Sequence, residues 1–262
     1  MILNLNTSLV STYKSQSQLA RVLTEKWFLD NGYCPACPSD VLTQTPNNEK
    51  VVDFVCPECA SKYQLKAKSH HIGKSVANGA YQPKIDMIRA GTAPNWFFME
   101  YEKKGWTVES VMLVPAHFVT PEIIQKRNPL KPTALRHGWV GSNVLIGRLP
   151  LDARIYLVRD SEEIPHAHVR EEWKRFAFLK SQSLESKGWL SDVLAVVRSL
   201  PREFALADAY AFEGKLAKLH PGNKHVRPKI RQQLQILRDN GVLEFVAPGR
   251  YRCMARQSSN NL

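Results

Sequence analysis

Two Cys-x-x-Cys pairs separated by 18 residues constrain this 262-residue chain more than any other feature. They read Cys34-Pro-Ala-Cys37 and Cys56-Pro-Glu-Cys59. A two-residue gap lets both sulfurs of a tight turn face one ion, and two such turns complete a tetrahedron. The spacing points to structural Zn²⁺ held by Cys34, Cys37, Cys56 and Cys59, with iron or a redox role as alternatives. Four thiolates leave no open coordination position, so the ion would staple the fold and do no chemistry. In a reducing compartment disulfides are the weaker explanation. The fifth cysteine, Cys253, reads as a small apolar residue.

The second pair lies inside VVDFVCPECASKYQLKAK, residues 51 to 68, which carries more polar chemistry than a zinc turn needs. VVDFV is β-branched and aromatic and reads as a strand over 51 to 55. In KYQLKAK, 62 to 68, Tyr63, Leu65 and Ala67 share one face, leaving Gln64, Lys66 and Lys68 on the other. An Asp on one strand, then an acid or amide and a Lys two residues on from the next, suits metal-dependent phosphodiester hydrolysis. Asp53 would bind Mg²⁺ through its carboxylate, Gln64 through its amide oxygen, and Leu65 through its carbonyl. Lys66 would orient or help deprotonate the attacking water and offset developing charge. The spacing alone is weak and also describes an exposed polar face on an edge hairpin. The segment before it, QSQLARVLTEKWFLDNGY, has an apolar stripe of Leu19, Val22, Leu23, Trp27 and Phe28 and reads as a helix. Glu25 on that helix reads as a solvated charge rather than a metal support.

The formal net charge of +12 suggests an acidic partner, nucleic acid first. The distribution sharpens this. Between Glu213 and Asp239 stand Lys215, Lys218, Lys224, Arg227, Lys229, Arg231 and Arg238 without an acid. Between Glu122 and Asp152 stand Lys126, Arg127, Lys131, Arg136 and Arg148, again without one. Two such segments favour two surfaces on one polyanion. No run approaches ~20 apolar residues, which argues against a membrane span, and the amino terminus lacks the pattern of a secretory signal. A cytoplasmic monomer is expected.

Along the rest of the chain, a helix is expected from about Ala80, and strands over 95–102, 110–119 and 154–158. His70 and His71 read as solvated. Residues 125 to 144 read as a basic loop with one large aromatic, Trp139, set to press on a base or methyl group; Arg136 and His137 beside it suit phosphates. The alternative is that Trp139 packs on its own domain. A polar linker is expected at 181–188, separating a domain of residues 1–182 from one of 183–262. The second domain reads as helices over 189–200, 206–219 and 228–239, capped at Asn240-Gly241, then a hairpin around Pro248-Gly249. That order is a winged helix-turn-helix. Lys224, His225, Arg227, Lys229, Arg231 and Gln232 lie at or near the amino-terminal part of its recognition helix, and Arg250 on its wing.

SQSQLARVLTEKW, YCPAC, Asp53-Phe54, LKAK, NGAY at 78–81 and KIRQQLQILRDNGVLEF resemble the DpnI family of methyl-directed restriction endonucleases. The resemblance runs nearly end to end. It implies an α/β PD-(D/E)xK restriction-endonuclease-like core with a four-cysteine zinc site, followed by a winged helix-turn-helix domain. It also implies Mg²⁺-dependent cleavage of double-stranded DNA at GATC carrying N6-methyladenine, with both domains recognising the site. One departure stands out: the family pattern has Glu where this chain has Gln64. An amide oxygen can still meet Mg²⁺, but the lost charge weakens the site. The alternatives are a methylated-DNA-binding protein with a weak or inactive site, and a zinc-ribbon transcription factor. Retention of Asp53 and Lys66 favours the nuclease over the first. The α/β middle of the chain favours it over the second.

Overall fold

In the computed structural model of the chain, residues 1–10, 15–46 and 51–254 are described. Residues 255–262, the tail of the expected second domain, lie outside them. The contacts divide the chain into two units: Met1–Arg148 with Asp152–Phe176, and Leu149–Leu151 with Ala177–Leu262.

The first unit opens with α1 (Gln16–Asn31), β1 (Thr43–Gln44), β2 (Phe54–Val55), β3 (Lys62–Lys68), β4 (Val76–Ala80) and α2 (Tyr81–Arg89). It continues with β5 (Asn95–Glu102), β6 (Thr107–Val114), β7 (Ile124–Lys126), β8 (Gly141–Val144), β9 (Ile155–Arg159), β10 (Glu162–Glu163) and α3 (His166–Arg175). Seven strands form a central sheet in the order β1-β2-β3-β5-β6-β9-β10, and β4-β8-β7 form a small second sheet. Only β3 and β5 pair in parallel within the central sheet, because β4 and α2 carry the chain from one to the other. Trp96 to Met99 of β5 form a continuous apolar run because both faces of a central strand are covered, and these four are buried along with Asn95.

One sheet face carries Tyr63 and Leu65 of β3 with Phe97 and Met99 of β5 into a core with Leu23, Trp27 and Phe28 of α1. The opposite face carries Gln64 and Lys66. Gly32 ends α1 where no side chain fits: a Cβ there would meet the Phe28 carbonyl oxygen at 2.4 Å and its ring at 2.8 Å.

Several expectations shift. The 51–55 strand shortens to Phe54–Val55, since Val51 turns into the left-handed region at φ 75°. The 110–119 strand ends at Val114, because Pro115 has no N–H to continue a ladder and Ala116–Phe118 coil into a 3-10 turn. The basic loop at 125–144 is bounded by strands β7 and β8 of the small sheet.

The second unit holds α4 (Leu184–Ser199), β11 (Glu203–Ala205), α5 (Leu206–Tyr210), α6 (Glu213–Leu219), α7 (Val226–Asp239), β12 (Leu243–Ala247) and β13 (Arg250–Cys253). The expected linker is instead the start of α4, where the Ser183 hydroxyl accepts the Ser186 amide at 3.2 Å as an N-cap. The expected 206–219 helix is two helices broken near Ala211-Phe212. The hairpin gains a third strand, in the order β11-β13-β12. The α7 end behaves as its sequence dictates. Gly241 at φ 70° donates to Arg238, and Val242 donates to Leu237, the paired bonds of a Schellman cap.

The Gly32 contact yields a test. Gly32→Ala should cost about 1–3 kcal/mol by forcing Phe28 out of place, read as a lowered melting temperature in calorimetry; an unchanged value would mean the turn relaxes freely.

Candidate active site and nucleic-acid interface

The four cysteines come from two turns, one after α1 and one between β2 and β3. Their sulfurs all lie within 4.8 Å of one another. Cys34 Sγ is 3.6 Å from Cys59 Sγ, and Cys37 Sγ is 3.5 Å from Cys56 Sγ. None is in a disulfide. Thiolates around one tetrahedral ion at a bond length near 2.3 Å would stand about 3.8 Å apart, so the four sulfurs are close enough to hold one metal ion. Both turns are held from outside. The Tyr63 hydroxyl lies 3.1 Å from Cys34 Sγ, Cys56 N–H donates to the Ser61 carbonyl at 3.0 Å, and Cys34 N–H donates to Ser39 at 3.0 Å. From α3, Arg170 donates to the Pro38 carbonyl at 3.0 Å and to Asp40 at 2.8 Å, fastening the helix to the first turn.

The second turn sets the pairing of the strands beyond it. Phe54 lies opposite Tyr63, and Asp53 N–H donates to the Tyr63 carbonyl at 2.8 Å. Asp53 Oδ2 accepts the Leu65 amide at 2.8 Å, which holds the carboxylate beside the Gln64–Lys66 strand. Gln64 is 6% exposed, and its Oε1 is enclosed with no donor from the protein reaching it. A buried carbonyl oxygen left unsatisfied is uncommon. An amide oxygen and a carboxylate are both of the donor type that a hard divalent cation takes. Burial pushes the Lys66 ammonium below its ordinary range, with Arg21 adding to the shift and Asp53 and Glu25 opposing it.

Glu25 is not the solvated charge expected of it. Its side chain is 16% exposed and bridges Arg21 Nε at 2.7 Å and Gln44 Nε2 at 3.1 Å. The reason is that β1 crosses over the end of the site and supplies Gln44. His71, by contrast, is solvent-exposed, with its Nδ1 3.1 Å from Glu100.

One residue escaped the sequence reading. Lys84 of α2 is 3% exposed, with its Nζ 5.1 Å from the centre of the Trp96 ring. Burial pushes its ammonium down to about 8, with Lys66 adding to the shift and Asp53 opposing it. The signal was there: Lys84 and Ile88 are one turn apart and both buried, so a lysine stands in the apolar stripe of a helix.

Between β7 and β8, Trp139 is half-buried and packs over Gly141, where a Cβ would meet its ring at 2.8 Å. The Arg136 guanidinium sits 5.0 Å from the ring centre, and Arg136 and His137 are exposed. In the second unit Lys224, His225, Arg227, Arg231, Gln232 and Arg250 are exposed, and Leu234 and Leu237 are buried. The helix is less free of acid than its sequence suggests. Neighbouring helices bring Glu213 to Arg227 at 2.8 Å and Glu185 to Lys229 at 3.5 Å.

A family model described as DpnI, the Dam-replacing family, matches residues 1–182. The chain belongs to the Dam-replacing family. A second model, the Dam-replacing HTH domain, matches residues 185–253 and covers the unit built around α7. In this member of the Dam-replacing family no helix among the described residues is long and apolar enough to cross a membrane.

Stripping the thiolate-bound metal with a strong chelator should lower the melting temperature by about 10 °C or more. Cys56→Ser should do the same and remove one equivalent of bound metal. A chelator-treated protein that melts unchanged would show that the sulfurs hold nothing.

Proposed function

We propose that the chain is a type II restriction endonuclease that hydrolyses double-stranded DNA at GATC carrying N6-methyladenine. The observation that carries this reading is the enclosed, donorless Oε1 of Gln64 on the strand whose Leu65 amide holds the Asp53 carboxylate, with the half-buried Lys66 two residues on. Membership in the Dam-replacing family and the attached HTH domain support the DNA substrate.

In this reading Asp53, Gln64 Oε1 and the Leu65 carbonyl hold Mg²⁺. The bound ion would lower the pKa of a water and polarise the scissile phosphate. Asp53 keeps its carboxylate fixed through the Leu65 amide, which removes reorganisation at the moment of reaction. Lys66, half-buried, would direct its ammonium at the attacking water and offset charge on the phosphorane. The cysteine cluster holds Zn²⁺ as a structural ion, and free thiols of this kind suit the cytoplasm.

For DNA, Lys224, His225, Arg227, Lys229, Arg231 and Gln232 would present α7 to the major groove, with Arg250 on the wing against a phosphate. Trp139, resting on Gly141, offers a flat apolar surface to an adenine methyl, flanked by Arg136 and His137 for phosphates. A methyl has no hydrogen bond to give, so it is sensed through apolar contact worth on the order of 0.8 kcal/mol. Two units each testing the methyls would multiply small factors, and a monomer suffices.

A second reading, a methylated-DNA-binding protein without cleavage, is favoured by the neutral Gln64. Digestion of methylated and unmethylated plasmid with Mg²⁺ separates the two. Fragments from methylated DNA alone, abolished by Asp53→Ala, are expected. Intact plasmid with Mg²⁺ and Mn²⁺, but a methyl-dependent gel shift, would overturn the nuclease reading. Gln64→Glu should lower the Mg²⁺ concentration needed for half-maximal cleavage by about tenfold, since it adds a charge at the ion.

A further inference from the structure

Lys84 occupies a position that a helix lysine normally avoids. A lysine on the inward side of a surface helix lays its stem along apolar neighbours and sends its ammonium to water. Here the whole residue is 3% exposed, and its ammonium stands over the Trp96 ring. Asp53 is the negative group that weighs on it, and Lys66 the positive one. Placing two ammonium groups near one carboxylate in a shielded region lowers stability, so the arrangement calls for a return elsewhere.

Trp96 shows where the ammonium has been brought. Across the parallel β3–β5 pair, Trp96 is the partner of Gln64 and Phe98 the partner of Lys66. Partners in register share a sheet face, so Gln64, Lys66, Trp96 and Phe98 form one surface. Helix α2 therefore lays Lys84 over the row that carries Gln64 and Lys66, within electrostatic reach of Asp53. Glu25 and Arg21 neutralise each other through their ion pair. With Gln64 neutral, the two ammonium groups outweigh the Asp53 carboxylate. Such a site repels a divalent cation more than a carboxylate pair would, and attracts a phosphodiester more.

We infer that Lys84 is a further catalytic residue of this site, its ammonium holding a non-bridging oxygen of the scissile phosphodiester. The inference rests on the nuclease reading above and adds a group to it. Lys84 would stabilise the charge that builds on the phosphorane, where a second carboxylate-bound ion charge is lacking. Its side effect is weaker divalent-cation binding at Asp53.

The test uses the full-length chain with Lys84→Met and Lys84→Arg. Four quantities are read: single-turnover cleavage of a methylated GATC duplex at saturating Mg²⁺, affinity for that duplex, Mn²⁺ affinity with Asp53→Ala as background, and melting temperature. Lys84→Met should cut about 100-fold more slowly, with duplex affinity little changed. It should bind Mn²⁺ about tenfold more tightly and melt no lower than the parent chain. Lys84→Arg should retain most of the rate. Parent-like cleavage by Lys84→Met would overturn the inference, as would unchanged Mn²⁺ affinity with a lowered melting temperature, which marks a packing residue. If the parent chain cuts no DNA, the nuclease reading falls separately. Mn²⁺ affinity then decides Lys84: unchanged affinity removes it from the site, and tighter affinity keeps it there.

Discussion

Four sulfurs within 4.8 Å of one another are the constraint on which the candidate site depends. One pair follows α1 and the other joins β2 to β3, so a shared ion would tie a helix to a hairpin at the edge of the central sheet. β2 is only two residues long, too short to set its own register by ladder bonds. The Cys56–Cys59 turn sets it instead, and Asp53 then meets the Leu65 amide. A one-residue slip would move Gln64 and Lys66 to the face now held by Tyr63 and Leu65. Tyr63 couples the two features directly, since its hydroxyl touches Cys34 and its carbonyl takes the Asp53 amide.

What the register places together is unfavourable for folding by itself. Gln64 hides an oxygen without a donor, and Lys66 and Lys84 both hold ammonium groups pushed down by burial. Each lowers stability relative to an apolar residue of the same size. Such costs persist where an incoming ligand removes them. In the proposed function a divalent cation would satisfy the Gln64 oxygen, and a phosphodiester the ammonium groups. The same row therefore accounts for both halves of the proposed chemistry. The groups proposed to face DNA follow a different rule: Lys224, His225, Arg231, Gln232 and Arg250 are exposed, and would supply affinity through phosphate charge, not through burial.

Much of this was legible in the sequence, and the reasons are local. Two Cys-x-x-Cys turns and the alternation of KYQLKAK state their geometry within a few residues, so the cysteine cluster and the orientation of β3 could be read directly. The α7 end was equally plain, because Asn240-Gly241 is a cap with its own chemistry. Features made by distant contacts were not legible. Nothing near Glu25 announces Gln44, and nothing near Arg227 announces Glu213. The break between α5 and α6, and the third wing strand Glu203–Ala205, arise from packing among the second unit's helices and hairpin. Lys84 lay between these cases. Its place in an apolar stripe was visible, but its ring partner Trp96 comes from another strand.

The proposed chemistry depends on Asp53, just before β2, sharing one divalent cation with Gln64 and Leu65 of β3. Anomalous diffraction from crystals grown with Mn²⁺ and a methylated GATC duplex tests it most directly. One Mn²⁺ peak is expected, with the Asp53 carboxylate, Gln64 Oε1 and the Leu65 carbonyl among its oxygen ligands and a backbone phosphate on the same ion. A duplex bound in the crystal with no Mn²⁺ at Asp53, or with the Gln64 amide nitrogen turned toward that position, would contradict it.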